Sequence, residues 1–586
     1  MNFLKNILST VLGVFIAFGI FFFLLILLAS AIETDEVITV ESQSVLKLSF
    51  DDRILKDYAP KDESTLGMLI EMENPYVGFD QVLNAIENAK TDANIEGISI
   101  EMTFFNAGLA QTQALRKKLM EFKETGKFVS AYADFYEQKN YYLSSVADSI
   151  FINPLGMVDF RGLSTEVLYF KDFQDKYGVK MEVVRHGKYK SGAEPFLFDK
   201  MSEENREQIK SFLTSIWDEM ISEIAVNRNK TTAELNNLAD NLGGRNADLA
   251  TKNGLIDQIA YHDEYISFLK RSIGIEDDKT LNSISLIDYI KAGKGRKPST
   301  STNKIAIIYA QGEIIYGKGT EDYIGQEMMI QSIQKATKDK DVKAIVLRIN
   351  SPGGVAITAD MIWRELELAK KEKPIVVSMG NLAASGGYYI ASNANKIFAE
   401  PTTITGSIGV YGLIPNIHQF SQTIGINAEQ VATNKAPNYS LFEPMSEDFN
   451  KVTQQSIEII YNTFLNRVSA GRNMSLEKVD ALAQGRVWSG KEALKNGLVD
   501  ELGTMEDAIK YAALISNTTE YKTVNYPQFK KEWKDAFDMM PFIKSSKTKM
   551  LKEELGETQY QLYQMMQKVS KQEGVQARMP FILDIK

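Results

Sequence analysis

Short apolar runs alternate along this chain with longer stretches that favour helices. Residues 305–309, 344–349 and 375–378 are rich in Ile, Val, Leu and Ala, and runs of this length predict buried strands. Residues 359–371 and 449–470 are spaced between and after such runs and predict helices. Strands that alternate with helices in this way are typical of βαβ units. The pattern therefore predicts an α/β protein with largely parallel sheets and flanking helices.

A much longer apolar segment lies at the N-terminus. Residues 7–32 contain no charged side chain, and about 20 apolar residues are enough to span a bilayer as a helix. Lys5 precedes this segment and three acidic residues follow it within 33–36, so the positive-inside rule places the rest of the chain outside the cytoplasm. We expect a transmembrane anchor. Ala29-Ser30-Ala31 also fits a signal-peptidase site, so a cleaved signal is the alternative, although the apolar region of such signals usually has about 7–15 residues.

The rest of the chain contains one pattern twice. Residues 141–145 (Tyr-Tyr-Leu-Ser-Ser) return 247 positions later as residues 388–392 (Tyr-Tyr-Ile-Ala-Ser). Residues 252–257 return 243 positions later as residues 495–500, so the repeat has the length of a domain and not of a solenoid unit. We therefore expect an anchor at 1–36, a first repeat at 37–290, an exposed linker at 291–303, a second repeat at 304–520 and a helical C-terminal extension at 521–586.

Composition excludes several kinds of site. The formal charge of −10 and the pI of about 5.3 argue against a nucleic-acid-binding surface. The sequence has no cysteine, which excludes disulfides, thiolate metal sites and cysteine nucleophiles. Its three histidines are far apart in the sequence, so we expect no metal centre, and no cofactor motif is evident.

Two glycine-rich turns are the candidates for chemistry. Ser385 lies in Ala383–Gly387, between a predicted strand and an apolar helix start, while the first repeat has Gln138 at the matching position. The second turn, Asn350–Gly354, ends the preceding strand of the same predicted sheet. Glycine N–H groups in that position can stabilise an oxyanion next to a serine nucleophile. Each turn taken alone also fits close packing without catalysis.

Together the two turns resemble those of the Clp-protease and crotonase folds, in which the serine turn and the glycine pair face one acyl-binding site. The Clp proteolytic subunit has a histidine about 25 residues beyond its serine. Here that region, residues 405–410, contains no histidine, and His418 belongs to a different segment. A Ser-His-Asp triad is therefore not expected, and another base is required.

A lysine segment in the first repeat identifies the closer resemblance. Residues 186–196 (His-Gly-Lys-Tyr-Lys-Ser-Gly-Ala-Glu-Pro-Phe) look like the lysine motif of the signal peptide peptidase A family, also called protease IV. The anchor, the duplication and Thr405-Gly406-Ser407-Ile408-Gly409 match the long, duplicated form of that family up to about residue 520. The resemblance implies roles for five residues: Ser385 as nucleophile, Lys190 as general base, Ser407 as the residue that orients the lysine, and Gly354 and Gly386 as backbone oxyanion donors.

The same resemblance implies an activity and an assembly. It suggests a serine endopeptidase with a Ser/Lys dyad that degrades cleaved signal peptides and other apolar peptides on the periplasmic side of the cytoplasmic membrane. Lys190 and Ser385 could meet within one chain or between neighbouring chains, and the resemblance implies a homotetramer in which the dyad is completed between adjacent protomers. A free lysine has a pKa near 10.4, so Lys190 must be desolvated to act as a base.

Two other classes of protein remain open. A crotonase-like acyl-transfer enzyme would account for the glycine turns. It would not account for the anchor, and the predicted site outside the cytoplasm lacks the coenzyme A that such an enzyme uses. A non-catalytic membrane scaffold has a precedent in the first repeat, where Gln138 replaces the serine. The presence of Lys190, Ser385 and Ser407 together argues against the scaffold.

Overall fold

The computed structural model describes residues 38–51, 53–59, 76–434, 439–529 and 575–579, together with residues 6, 9–21 and 24. Residues 9–21 are helical. Within the described part of the chain, no helix is both long enough and apolar enough to cross a membrane. Much of the predicted anchor lies outside the described residues.

The first repeat contains nine strands and their connecting helices among its described residues. The strands are β1 Ser44–Leu48, β2 Ile54–Lys56, β3 Tyr76–Gly78, β4 Ile95–Glu101, β5 Phe128–Ala133, β6 Ser149–Ile152, β7 Lys180–His186, β8 Gln258–Ile259 and β9 Ser283–Ser285. The helices are α1 Phe79–Thr91, α2 Leu109–Lys123, α3 Gln138–Ser144, α4 Lys171–Tyr177, α5 Glu194–Leu197, α6 Glu203–Asn227, α7 Thr232–Asp240, α8 Ala247–Lys252, α9 His262–Ser272 and α10 Leu286–Tyr289, with a 3-10 turn at Ser191–Ala193 and a π turn at Ile290–Lys294.

The second repeat and the segments after it supply the remaining described elements. The strands are β10 Lys304–Gln311, β11 Glu313–Ile315, β12 Tyr323–Gly325, β13 Val342–Ser351, β14 Gly353–Val355, β15 Ile375–Ala384, β16 Lys396–Ala399, β17 Ile404–Gly406, β18 Val410–Asn416, β19 Val487–Ser489, β20 Glu501–Leu502, β21 Lys522–Tyr526 and β22 Val575–Arg578. The helices are α11 Gln326–Lys338, α12 Ala356–Ala369, α13 Gly386–Ala391, α14 His418–Thr423, α15 Glu447–Arg472, α16 Leu476–Leu482, α17 Gly490–Asn496 and α18 Met505–Ile515.

Each repeat is built on its own mostly parallel sheet. The first has the order β8-β6-β5-β4-β1-β9, and all of its pairings are parallel. The second has the order β19-β17-β15-β13-β10-β21, with β16 and β20 branching from β15, and only β19 is antiparallel. The central strands are buried along nearly their whole length because helices cover both faces. The predicted α/β class and the strands and helices predicted in the second repeat are confirmed.

A third sheet joins the two repeats. Its order is β12-β11-β14-β22-β18-β7, so β7 of the first repeat pairs with β18 of the second. Seven residue pairs link these two strands, from Val410 opposite His186 to Asn416 opposite Lys180. Because β7 pairs with β18, the residues that follow His186 lie against the second repeat. Lys190 is one of these residues.

Residues 521–586 are predicted to be helical, but their described parts contain strands. Residues 522–526 add a parallel strand to β10, and residues 575–578 form a strand of the third sheet. Both segments gain backbone hydrogen bonds from strands that are distant in sequence, and local composition cannot reveal such partners. Residues 530–574 and 580–586 of this region lie outside the described ones.

A buried ion pair also ties the repeats together. Arg348 on β13 donates from Nε and from one terminal nitrogen to the two carboxylate oxygens of Asp57, over 3.0 and 3.2 Å. Gln111 on α2 donates to the same carboxylate over 2.9 Å. Both charged side chains are almost fully buried, so each charge depends on the other for compensation.

Candidate active site

Ser385 occupies the sharp turn between β15 and α13. Its backbone has φ +56° and ψ −115°, a combination that costs a non-glycine residue about 1–3 kcal/mol. The turn is held because the Ser385 N–H donates to the Gly406 carbonyl over 2.8 Å, and the Ser385 carbonyl accepts from the Tyr389 N–H over 2.8 Å. A strained strand-to-helix turn is a common way to present a nucleophilic serine.

Lys190 reaches this serine from the first repeat. Its Nζ lies 2.9 Å from Ser385 Oγ, and it lies 2.9 Å from both the carbonyl oxygen and Oγ of Ser407. All three residues are fully buried. A neutral amine has two N–H donors and one lone pair, which fits two bonds donated to Ser407 and one accepted from the Ser385 hydroxyl. The structure thus brings together the three side chains that the sequence singled out.

Burial sets the protonation of Lys190. Desolvation lowers the pKa of Lys190 well below its ordinary value, because the ammonium form loses its hydration in the protein interior. Among the described residues, no carboxylate forms an ion pair with this amine to offset that loss. The neighbours are hydroxyl and carbonyl groups, which carry no formal negative charge and so leave the neutral amine favoured.

The second repeat fixes the backbone of Lys190. The Tyr189 N–H donates to the Gln484 carbonyl over 2.9 Å. A Cβ at Gly485, where φ is +83°, would lie 2.5 Å from Lys190 N and 2.6 Å from its Cα. From α6, Gln208 Nε2 donates to the Tyr189 carbonyl over 3.0 Å. Sequence reasoning missed Gly485 and Gln208. The Gln-Gly-Arg turn at 484–486 was the available signal, but nothing local ties it to a lysine almost 300 positions away.

The two glycine turns meet beside the dyad. A Cβ at Gly353 would lie 2.7 Å from Gly386 N, and a Cβ at Gly354 would lie 2.0 Å from the Ile314 carbonyl oxygen. Only glycine allows backbone to approach backbone this closely. The Asn350–Gly354 turn therefore lies directly against the Ser385 turn, as predicted for two parts of one acyl-binding site.

Gln138 has a structural role in the first repeat. Its Oε1 accepts from the backbone N–H groups of Arg161 and Gly162 over 3.0 and 2.9 Å, and its Nε2 donates to the Gly162 carbonyl over 2.8 Å. The side chain fastens a loop where the second repeat presents its serine. In the first repeat, the position that matches Ser385 therefore holds a loop-binding amide and no hydroxyl.

One acidic group among the described residues has the spacing of metal ligands. It consists of Glu87, Glu121 and Glu506. The Lys118 Nζ donates to all three carboxylates over 2.7–2.9 Å, so an ammonium group already balances their charge. This arrangement is an ion-pair network between the repeats and does not call for a cation.

Lys190 and Ser385 contact each other within one chain. The resemblance predicts a contact between adjacent protomers instead. Because β7 pairs with β18 of the same chain, Lys190 lies against its own Ser385.

Comparison with known proteins identifies relatives of both repeats. The profile of peptidase family S49 matches residues 121–276 and 367–519, one match in each repeat. The chain is 38% identical over 465 residues to "Protease 4" of Haemophilus influenzae, an alignment that covers 78% of this chain and 75% of that protein. It is 30% identical over 517 residues to "Serine protease SPPA, chloroplastic" of Arabidopsis thaliana, covering 87% and 75%. A solved chain of a ClpP1 point mutant from Listeria monocytogenes aligns with 35% of this chain and 94% of its own length, at 16% identity and a TM-score of 0.24.

The duplicated α/β fold and these matches define a serine peptidase. The chain belongs to peptidase family S49, with one family domain in each repeat.

Proposed function

We propose that this peptidase is a Ser/Lys endopeptidase that degrades cleaved signal peptides and other apolar peptides beside the membrane. The observation that carries the proposal is the 2.9 Å contact between the fully buried Lys190 amine and Ser385 Oγ. At pH 7 only about one free lysine in 2,500 is neutral, so burial is what makes this amine available as a base.

The geometry supports a two-step acyl transfer. Lys190 takes the proton of Ser385 Oγ as that oxygen attacks the peptide carbonyl carbon. The N–H groups of Gly354 and Gly386 stabilise the oxyanion, a kind of interaction that contributes about 3–4 kcal/mol per donor. Lys190 then protonates the leaving amine, and it later removes a proton from the water that hydrolyses the acyl-enzyme. Ser407 keeps the amine directed at Ser385 throughout.

The location and assembly are part of the same proposal. An anchor formed by residues 7–32, with its N-terminus in the cytoplasm, holds the two repeats on the periplasmic side of the cytoplasmic membrane. An enzyme tethered there meets signal peptides whose apolar cores remain in the bilayer. The homotetramer implied by the resemblance is retained as a proposal, with each protomer carrying its own dyad. Protease protection in oriented membrane vesicles and the mass of the solubilised particle test these two points.

The activity is tested with a synthetic signal peptide and the full chain in detergent. We expect internal cleavage by the wild type and a loss of about a thousandfold or more with Ser385→Ala, since the nucleophile is removed. Ser392→Ala is the matched control, because Ser392 is equally buried but bonds only the Tyr389 carbonyl. Equal cleavage by Ser385→Ala and the wild type would refute the proposal.

A further inference from the structure

His186 joins the lysine segment to a long helix of the second repeat. It is the last residue of β7, and its Nδ1 lies 2.8 Å from the Glu458 carboxylate on α15. Its imidazole ring stacks on the ring of Tyr461, one turn further along the same helix, with 3.8 Å between the ring centroids and 25° between the planes. Both contacts cross from the first repeat to the second, shortly before Lys190. The start of the lysine segment is therefore held against α15.

The hydroxyl of Tyr461 holds the turn that contacts Lys190. Tyr461 Oη donates to an Asp480 carboxylate oxygen on α16 and accepts from the Gln484 backbone N–H over 3.4 Å. Gln484 Nε2 donates to Tyr461 Oη over 3.2 Å and to Asp480 Oδ1 over 2.7 Å. Burial and the bond to Asp480 raise the pKa of Tyr461, so its oxygen keeps the proton that it donates. Gln484 is therefore fixed through both its backbone and its side chain.

Gln484 in turn supports the lysine segment. Its φ is +54°, a left-handed conformation that residues other than glycine adopt rarely, so its place depends on these bonds. Its carbonyl accepts from the Tyr189 N–H over 2.9 Å, and a Cβ at Gly187 would lie 2.6 Å from its carbonyl carbon. The next residue, Gly485, packs on the backbone of Lys190 itself. The position of Gln484 therefore sets the position of the Lys190 backbone.

We propose that His186 and Tyr461 are positioning residues for Lys190 and act on it through Gln484. This rests on the proposed Ser/Lys mechanism, in which the amine must stay dry and within hydrogen-bonding distance of Ser385. The stacked His186 ring fixes where Tyr461 lies, the Tyr461 hydroxyl fixes Gln484, and Gln484 seats the lysine segment. Their effect is confined to the base, and substrate binding is left to other parts of the site.

Removal of the Tyr461 hydroxyl is the most direct test. In Tyr461→Phe the ring can still stack on His186, but Gln484 loses two hydrogen bonds. We expect about a tenfold lower kcat on an apolar fluorogenic peptide, because a small displacement of the base slows proton transfer from Ser385. KM should change by less than about twofold, since the lost bonds support the base and not the glycine turns.

The pH profile separates positioning from a loss of folded protein. A loosened lysine segment admits water to the amine, which brings the pKa of Lys190 back toward its ordinary value. The rising limb of kcat/KM in Tyr461→Phe should therefore move to higher pH, whereas poorer folding alone would lower the rate and leave the midpoint in place. Tyr289→Phe is the matched control, because Tyr289 is also buried and its hydroxyl donates to Asp92 over 2.9 Å. It should keep the kcat and the midpoint of the wild type.

The ring of His186 is tested by a conservative exchange. His186→Ala removes the stack on Tyr461 and should lower kcat several-fold, whereas His186→Phe keeps a ring there and should recover most of that loss. His262→Ala is the control. His262 also lies beside a glutamate, 3.1 Å from Glu101, and beside a tyrosine ring, but in the first repeat. It should leave kcat unchanged, and equal losses in His186→Ala and His186→Phe would show that the stack does not position the base.

A double variant tests the route through Gln484. If both side chains act through this residue, His186→Ala combined with Tyr461→Phe should lose less than the product of the two single losses. Losses that simply multiply would overturn the shared route. A Tyr461→Phe variant with the kcat and the pH midpoint of Tyr289→Phe would overturn the inference and leave the Ser/Lys mechanism in place. A wild type that hydrolyses no peptide would refute that mechanism, and the inference with it.

Discussion

Lys190 is a basic residue in a buried site. None of the hydrogen-bond partners of its amine carries a negative charge. Its Nζ contacts only oxygens of Ser385 and Ser407, and desolvation lowers the pKa of the amine. A lysine in such a site is poorly placed to carry charge but well placed to accept a proton. The pH dependence of both activity and stability should therefore report on this one residue.

The first prediction concerns the pH dependence of activity. Because the neutral amine is the base, kcat/KM should rise as Lys190 loses its proton, with a midpoint well below the value of about 10.4 for a free lysine. Initial rates on a fluorogenic peptide between pH 5 and pH 10, at constant ionic strength, measure this. A rising limb centred near the ordinary lysine pKa would contradict a desolvated base.

The second prediction concerns the stability of Lys190→Met, which keeps an unbranched side chain one atom shorter and removes the amine. In the wild type the unfolded chain binds a proton at residue 190 that the folded chain does not, from the lowered folded pKa up to about 10.4. The contribution of Lys190 to wild-type stability therefore rises with pH across that window. Lys190→Met should be the more stable protein at neutral pH, with a margin that shrinks toward pH 10. Chemical denaturation at several pH values checks this, and a constant margin would argue against it.

At the scale of elements, one turn of the second repeat contacts both Lys190 and Ser407. The Gln484-Gly485-Arg486 turn contacts the backbone of Lys190, and the Ser407 N–H donates to the Arg486 carbonyl over 2.7 Å. One turn therefore positions the base and also the residue that orients it. A small shift of this turn would separate Nζ from Ser385 Oγ.

Gly485→Ala tests this turn, with Gly425→Ala as a matched control. Both glycines have φ near +80°, so both substitutions carry the strain of a left-handed backbone, about 1–2 kcal/mol. The Cβ at position 485 would collide with Lys190, whereas the one at position 425 has no atom within 4 Å. We expect at least a tenfold loss of kcat in Gly485→Ala only. Equal losses of activity would show that backbone strain alone is responsible.

The elements also show what could be predicted from sequence. The buried strands and the long helices of the second repeat follow from apolar runs and helical spacing, because those signals are local. Strands β21 and β22 were expected to be helical, and nothing near residues 575–578 indicates that the edges of β14 and β18 would pair with them. Ser385, Lys190, Ser407 and the glycine turns were found through ordered motifs. Gly485 and Gln208 act on Lys190 only through tertiary contacts, and no local signal marks them.

At the scale of the whole molecule, the two repeats share one candidate site. In the proposed mechanism the first repeat supplies the base and the second supplies the nucleophile, and the β7–β18 pairing fixes Lys190 against Ser385. The duplication is evident from the sequence. The sequence does not show whether Lys190 and Ser385 meet within one chain, because the order of motifs along a chain says nothing about distances between them.

The buried ion pair between the repeats gives the prediction at this scale. Asp57→Asn leaves the Arg348 charge buried with only neutral partners in place of the carboxylate, which should lower the free energy of unfolding by about 3–5 kcal/mol. Asp322→Asn is the control, since Asp322 also bridges the repeats, to Lys56, but is 58% exposed and should cost only about 0–1 kcal/mol. Denaturant titrations of the two variants compare them. Similar small losses would show that this pair does not hold the repeats together.

The central claim is that Lys190 activates Ser385 of the same chain to hydrolyse peptide bonds. The most direct measurement is the rate of hydrolysis of an apolar fluorogenic peptide by the purified full chain, by Ser385→Ala, by Lys190→Ala, and by the two variants mixed before assembly. We predict that the wild type is active and that both variants and their mixture are inactive, because each chain in the mixture lacks one half of its own dyad. Activity retained by Lys190→Ala would assign the base to another residue, and activity recovered in the mixture would show that the dyad forms between chains.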